Sequence, residues 1–194
     1  QKPSGQEANQ PYTYLKIPEE ILVGLKHRPE TFPDSDESRS KVGGMADLPR
    51  DLSLLESEKE VEEFVKKVKK DKPVYLYSDN ESFYFLPSDT NEITSVLFNL
   101  IKNLQSFFED EKIPKRGYNL KPLIKVLLNY GLHLKNIDFD IALAAYLVRS
   151  ETRDYAIDKV YFTEFGQSLS DQSATVLLAL PKLYEVFWEK LKSK

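Results

Sequence analysis

The chain has no cysteine, only two histidines and a single tryptophan among its 194 residues. Without cysteine there are no disulfides, thiolate metal sites or cysteine nucleophiles, a composition at home in a reducing cytoplasm. Two histidines, His27 and His133, are too few for a histidine-rich zinc cluster and give no support to a histidine-based triad. Glycine is also scarce, and the Gly43-Gly44 pair is not followed by the Lys-Ser/Thr of a phosphate loop. No apolar run approaches the about 20 residues that span a bilayer, and the polar N-terminus lacks a signal peptide's apolar segment. We therefore expect no membrane association and a cytoplasmic location. A net charge of −4 speaks against a free-standing protein that grips nucleic acid through a broad basic surface, leaving room only for a local basic groove.

What is present is an apolar fraction of 41%, with Tyr and Phe contributing 11 residues each, enough for one domain of ordinary size. Residues 1–50 differ from the rest. They hold Pro3, Pro11, Pro18, Pro29, Pro33 and Pro49, and the polar run from Asp34 to Lys41, so they read as an extended linker or tail. One apolar island, Tyr12 to Leu25, suits docking on this domain or on a neighbour. The globular domain is expected over 51–194.

Ser57 and Glu60 spell a capping box, followed by Val61, Phe64, Val65 and Val68 at helical spacing. Lys66, Lys67, Lys69 and Lys70 close that helix, as a solvated end or as a weak nucleic-acid contact. Val74–Tyr77 and Ser82–Leu86, separated by Asp79-Asn80-Glu81, read as a β-hairpin. The spacing of Ile93, Val96, Leu97, Leu100, Ile101 and Leu104 predicts one helix over 90–109. A short connection or strand, Lys112–Lys115, leads on. Asn119 is placed to cap a helix carrying Leu120, Leu123, Ile124, Leu127 and Leu128, which Gly131 ends. A strand-like run then reaches Asp140, which opens a helix with Leu143, Ala144 and Leu147 on one side. Residues 150–170 read as polar, broken only by Tyr155-Ala-Ile157 and Val160-Tyr-Phe162. A last helix starts near Ser170 or Asp171, and Pro181 should kink or divide it.

The words Tyr118-Asn-Leu-Lys121 and Phe139-Asp140-x-x-Leu143-Ala-Ala-Tyr146-Leu147 resemble the 3′→5′ exonuclease domain of bacterial family A DNA polymerases, DNA polymerase I. The resemblance is good over 113–150 and extends over about 52–190. It implies an α/β, ribonuclease H-like fold: a small, partly eroded mixed sheet flanked by helices, behind an extended N-terminal tail. It makes Asn119, Leu120, Lys121, Phe139, Asp140, Leu143 and Tyr146 structural family words.

An active member would hold two metal ions, Mg2+ being the usual kind, on carboxylates from three places. The first is an Asp-x-Glu after the first strand. Asp79 and Glu81 have that spelling, and also that of an ordinary hairpin turn. The second falls on Leu123, which is not an acid. The third falls near Thr175; a shifted alignment brings in Asp171, which reads equally as a helix N-cap, and Gln167 stands where a tyrosine would precede it. Asp79, Glu81 and Asp171 are thus the only candidate catalytic or metal-binding acids. The chain resembles those polymerases whose exonuclease fold persists as a scaffold after loss of its acids. That implies no nuclease, no metal unless the site still works, a polymerase domain of the same or a companion chain as partner in replication and repair, weak contact with DNA, and a monomer. An active nuclease with an unconventional site, or a protein-interaction module, are the alternatives.

Overall fold

The computed structural model describes residues 52–152 and 154–193, and the expectations for residues 1–50, including the Tyr12–Leu25 island, lie outside them. In chain order the described residues form β1 (Leu52–Leu55), α1 (Glu58–Lys67), β2 (Val74–Ser78), β3 (Ser82–Pro87) and β4 (Ile93–Leu97). A 3-10 helix (Phe98–Leu104) runs into the short α2 (Gln105–Phe108), followed by β5 (Lys115–Gly117), α3 (Leu120–Asn129) and β6 (Ile137–Asp140). Three helices complete the domain: α4 (Ile141–Val148), α5 (Ile157–Phe165) and α6 (Ser173–Lys192).

The strands form one six-stranded sheet in the order β1-β4-β3-β2-β5-β6. β2, β3 and β4 are an antiparallel meander, with Tyr77 opposite Tyr84 and Phe83 opposite Val96. β5 runs parallel to β2, β6 parallel to β5, and β1 parallel to β4 at the far edge. β2, β5 and β6 therefore end at the same edge of the sheet, at Ser78, Gly117 and Asp140. That shared edge positions the site.

Alternation along β2 divides the interior in two. Val74 and Leu76 face a core with α1, α2 and α3, built on Phe83, Phe85, Phe107 and Phe108. Tyr75 faces the other core, where Ile141, Val160, Leu177, Leu180, Leu183 and Phe187 of the last three helices pack. The Phe85 and Phe107 rings meet edge to face at 5.3 Å between centroids, a geometry that adds to simple burial. The capping box forms as written: the Ser57 hydroxyl accepts from Glu60 N, and the Glu60 carboxylate accepts from Ser57 N.

Several expectations give way. The helix expected over 90–109 is instead a strand, a 3-10 helix and one turn of α-helix. Ile93 and Val96 are both fully buried, but on opposite faces of the sheet. A strand covered on both sides needs no polar alternation, so its apolar run imitates a helix. The mixed sheet accordingly has six strands. α5 was hidden in the polar stretch; Val160 and Tyr161 bury it, and Gly166, at φ 67°, stops it. On α4 the buried side chains are Ile141, Ala144 and Ala145, while Leu143 and Leu147 are 63% and 58% exposed. α6 continues through Pro181 undivided, with Leu177, Leu180 and Leu183 on either side of the proline packed into the core. Among the described residues, no helix is long and apolar enough to cross a membrane.

Candidate functional site

Three helix N-termini surround the shared strand edge: α3 follows β5, α4 follows β6, and α6 arrives at the β2–β3 turn. The sequence words account for this arrangement through one carboxylate. Asp140 ends β6 and caps α4, its Oδ1 accepting from Ala142 N at 2.9 Å. The same carboxylate reaches back across 20 residues. Its Oδ1 accepts from Asn119 N at 2.9 Å and its Oδ2 from Leu120 N at 2.8 Å. Asp140, not Asn119, therefore satisfies the start of α3. Asn119 is left-handed, at φ 49°, and its side chain makes no capping bond. Asparagine tolerates that backbone better than most residues do, which gives it a role other than the expected cap. Two positive helix ends sharing one negative charge is favourable electrostatics.

Asp79 sits in the β2–β3 turn. Its Oδ1 accepts from Glu81 N at 2.8 Å and Ser82 N at 2.9 Å, an Asx turn. Its Oδ2 accepts from the Ser173 hydroxyl at 2.7 Å, tying the turn to the first residue of α6. Burial pushes the Asp79 carboxyl up, but hydrogen bonds from Glu81 N, Ser173, Ser82 N and Tyr84 outweigh it and hold the group below its ordinary value. Glu81 is exposed, and its carbonyl accepts from Phe98 N. Asp171 is exposed and lies outside the cap position, which Gln172 occupies without a side-chain bond. The N-cap role expected of Asp171 is not taken up, since the helix begins at Ser173 and the cap position falls one residue later, on Gln172. Burial first, and then the charges of Asp79 and Asp171, push the Tyr77 phenol upward.

The two other places to which the resemblance assigns acids, Leu123 and Thr175, carry none. Leu123 is 5% exposed, packed in the phenylalanine-rich core, and Thr175 is a buried residue of α6. Of the other family words, Leu120 and Phe139 are buried, Lys121 is exposed, and Leu143 and Tyr146 are on the surface. The Phe139 ring meets Tyr184 edge-on at 4.9 Å, and Tyr184 also carries the Arg116 guanidinium 3.7 Å above its ring.

A cleft of about 160 Å³ opens at this edge, lined by Leu76, Tyr77 and Ser78 of β2, Tyr118 and Asn119 of the turn, and Leu120, Pro122 and Leu123 of α3. None of these side chains is a carboxylate or a histidine. Gly117 lets Leu120 pack close against β5 and β2: a Cβ there would stand 2.4 Å from Leu120 Cδ2 and 3.0 Å from the Leu76 carbonyl oxygen. The Tyr118 hydroxyl donates to the Tyr155 carbonyl. Burial first, then the charges of Asp140, Asp154 and Asp158 together with Tyr77, push that phenol up to about 12.

Divalent metal of the two-ion kind needs several hard oxygen ligands converging on one point. Both oxygens of Asp79 are engaged, Leu123 offers no donor, and Thr175 offers a hydroxyl in place of a charge. Among the described residues no three His, Cys, Asp or Glu side chains are grouped to hold a metal ion. The described residues at this edge do not fit a two-metal centre.

The family model described as DNA polymerase I, ribonuclease H-like domain, matches residues 68–172, more than half of the chain. The chain belongs to that family. Solved structures share the fold at low identity. The POL domain of Pol1 from M. smegmatis, in complex with DNA primer-template and dNTP, is 20% identical with a TM-score of 0.57, covering 73% of this chain and 28% of that one. Brucella melitensis NrnC with bound Mg2+ is 14% identical with a TM-score of 0.56, over 74% of this chain and 81% of that one. Escherichia coli RNase D, an exoribonuclease involved in structured RNA processing, is 12% identical with a TM-score of 0.56, over 74% of this chain and 46% of that one. This exonuclease-like domain of the DNA polymerase I family spans only 28% of the M. smegmatis Pol1 chain it matches.

The geometry also exposes what the sequence words could not convey. The double cap by Asp140 and the Asp79–Ser173 bond join residues 20 and 94 positions apart. Tyr77 had no motif to mark it, only its place near the end of β2, whereas Tyr118 heads the Tyr118–Lys121 word.

Proposed function

We propose that this domain is catalytically silent and serves as a structural scaffold beside a polymerase module, of the same or a companion chain, in DNA synthesis and repair. The observation that carries this reading is the acid-free cleft at the strand edge, with Leu123 packed into the core where a carboxylate would be needed. Losing a ligand from a two-metal cage removes charge and geometry together, so water is neither activated nor aimed. Asp79, spelled like a metal ligand, works as a turn and helix clasp. Asp140 works as a double cap.

No resident cofactor is required by this role. Contact with DNA would be weak: Lys69 is paired with Asp89 at 2.7 Å and Lys70 with Asp110 at 3.5 Å, which blunts their pull on phosphate. A monomeric, cytoplasmic setting is part of the same proposal. The contrary reading, an active nuclease built on Asp79, Glu81 and Asp171, draws on the charges of both Asp79 and Asp171 acting on the Tyr77 phenol. Thermal unfolding with millimolar Mg2+ or Mn2+ separates the two. A ligand that binds only the native state raises the melting temperature. We expect no rise beyond that of an Asp79→Ala/Asp171→Ala variant measured against its own metal-free melt; a rise confined to the unmodified chain contradicts the scaffold reading.

A further inference from the structure

The sheet ends differently at its two edges. β6 carries Asp138 and Asp140, and its pairing with β5 is irregular between Lys115 and Arg116, features that discourage a further strand from adding there. β1 is as short but has neither charge nor irregularity: it reads Leu-Ser-Leu-Leu and pairs evenly with β4. As the terminal strand, its outer row of backbone N–H and C=O groups meets no strand among the described residues. Leu52 lies beside Ile93 and Leu54 beside Ser95. Ile93 belongs to the core under the last three helices, so Leu52 and Leu54 are on that face of the sheet. No β1 residue joins that core, and the two leucines are left 53% and 47% exposed. Leu55 points the other way and packs against the phenylalanine-rich core, which holds the strand in place.

The charges around this edge are mostly of one sign. Glu92 precedes Ile93 and so stands beside the start of β1, while Glu56 and Glu58 follow its end. All three are exposed, and none forms an ion pair among the described residues. Lys59 is the only base between Leu52 and Val65. We infer that the outer edge of β1 receives an extended, basic segment of a partner protein, with apolar residues at alternate positions, as an added strand. Backbone hydrogen bonds hold such a segment, Leu52 and Leu54 meet its apolar side chains, and the acids select its basic ones. Exposed acids act through water, so binding weakens as salt rises. The inference goes beyond the scaffold reading and stands whether or not the domain cuts DNA.

The test uses the chain as it stands and a fluorescein-labelled nine-residue peptide in which lysine and valine alternate, followed by anisotropy at low salt. A second peptide carries glutamate in place of lysine. A third is N-methylated along its whole backbone, which keeps side chains and charge but leaves no N–H to donate. The expected result is weak saturable binding of the lysine peptide, weakened by salt, and no binding of the other two. Amide hydrogen exchange across Leu52–Leu55 should slow when the lysine peptide binds. Leu54→Lys gives the edge a common natural guard and should weaken binding about five-fold or more, because part of a leucine side chain is no longer buried. Leu52→Lys is the second variant, and thermal unfolding checks that each folds. No binding, equal binding of the glutamate or N-methylated peptide, unchanged exchange in β1, or indifference to both leucine substitutions each overturns the inference. Self-association of the chain that Leu54→Lys abolishes, without peptide binding, assigns the edge to a second copy and overturns it as well.

Discussion

Replacing Asp140 with alanine strips the start of two helices at once. Its carboxylate accepts from Asn119 N, Leu120 N and Ala142 N at 2.8–2.9 Å, with Leu143 N more distant at 3.5 Å. Loss of an N-cap costs about 1 kcal/mol. Each hydrogen bond to a charged partner contributes about 1.5–3 kcal/mol when buried, and less here because Asn119 is exposed and water can replace its bond. Taking about 1 kcal/mol for α4 and about 2 for α3, Asp140→Ala should cost roughly 3 kcal/mol. For a domain of this size that corresponds to a fall of roughly 10 °C in melting temperature. Asp140→Asn keeps one acceptor oxygen and should recover part of the loss. Asn119→Gly is the decisive companion, because glycine accepts the left-handed backbone and removes the side chain. If Asp140 is the true cap, Asn119→Gly stays within about 0.5 kcal/mol of the parent. Urea midpoints and thermal melts read all three variants. A loss for Asn119→Gly matching that of Asp140→Ala would refute the double cap.

Other perturbations probe the same frame. Lys115 is fully buried, its ammonium donating to the Asp110 carbonyl at 2.5 Å beneath the Phe107 ring, and burial pulls its pKa down to about 8. Between about pH 8 and its unfolded value near 10.4 the unfolded chain binds more protons at this site, so stability should rise with pH there; Lys115→Met should flatten that rise in urea titrations. Asp79 titrates below its ordinary value when folded, so its contribution is full at neutral pH and is lost as pH falls through the folded value; the gap in melting temperature between the parent and Asp79→Asn should close on acidification towards pH 3. Ser173→Ala removes the side-chain link between the β2–β3 turn and α6 and should cost about 1 kcal/mol by chemical denaturation. Gly117→Ala forces a methyl against Leu120 and the Leu76 carbonyl and should cost about 1–3 kcal/mol by the same measurement.

These residues also show what could be read from sequence. The hairpin of β2 and β3 was legible because aromatic and β-branched residues cluster on either side of an Asp-Asn-Glu turn. The capping box at Ser57 was legible because its partners lie three residues apart. β4 was not, since a strand buried on both faces has no polar alternation, and its apolar spacing fits a helix as well. The face of α4 was assigned wrongly because small alanines, rather than leucines, meet the sheet and α6 there. At the site, the family words identified Asp140 as structural but not its second helix. That bond closes only when β5 and β6 lie side by side, with Gly117 opposite Asp140. Asp79 was legible as an acid in a turn; its partner, 94 residues away on α6, was not.

The most direct test of the scaffold reading is a 3′→5′ digestion assay on end-labelled single-stranded DNA, with Mg2+ and with Mn2+, run beside an Asp79→Ala/Glu81→Ala control. The account predicts no shortening of the strand above that control with either metal. Metal-dependent shortening that the double substitution abolishes would contradict it, and would make the Asp79 turn a ligand pair rather than a clasp.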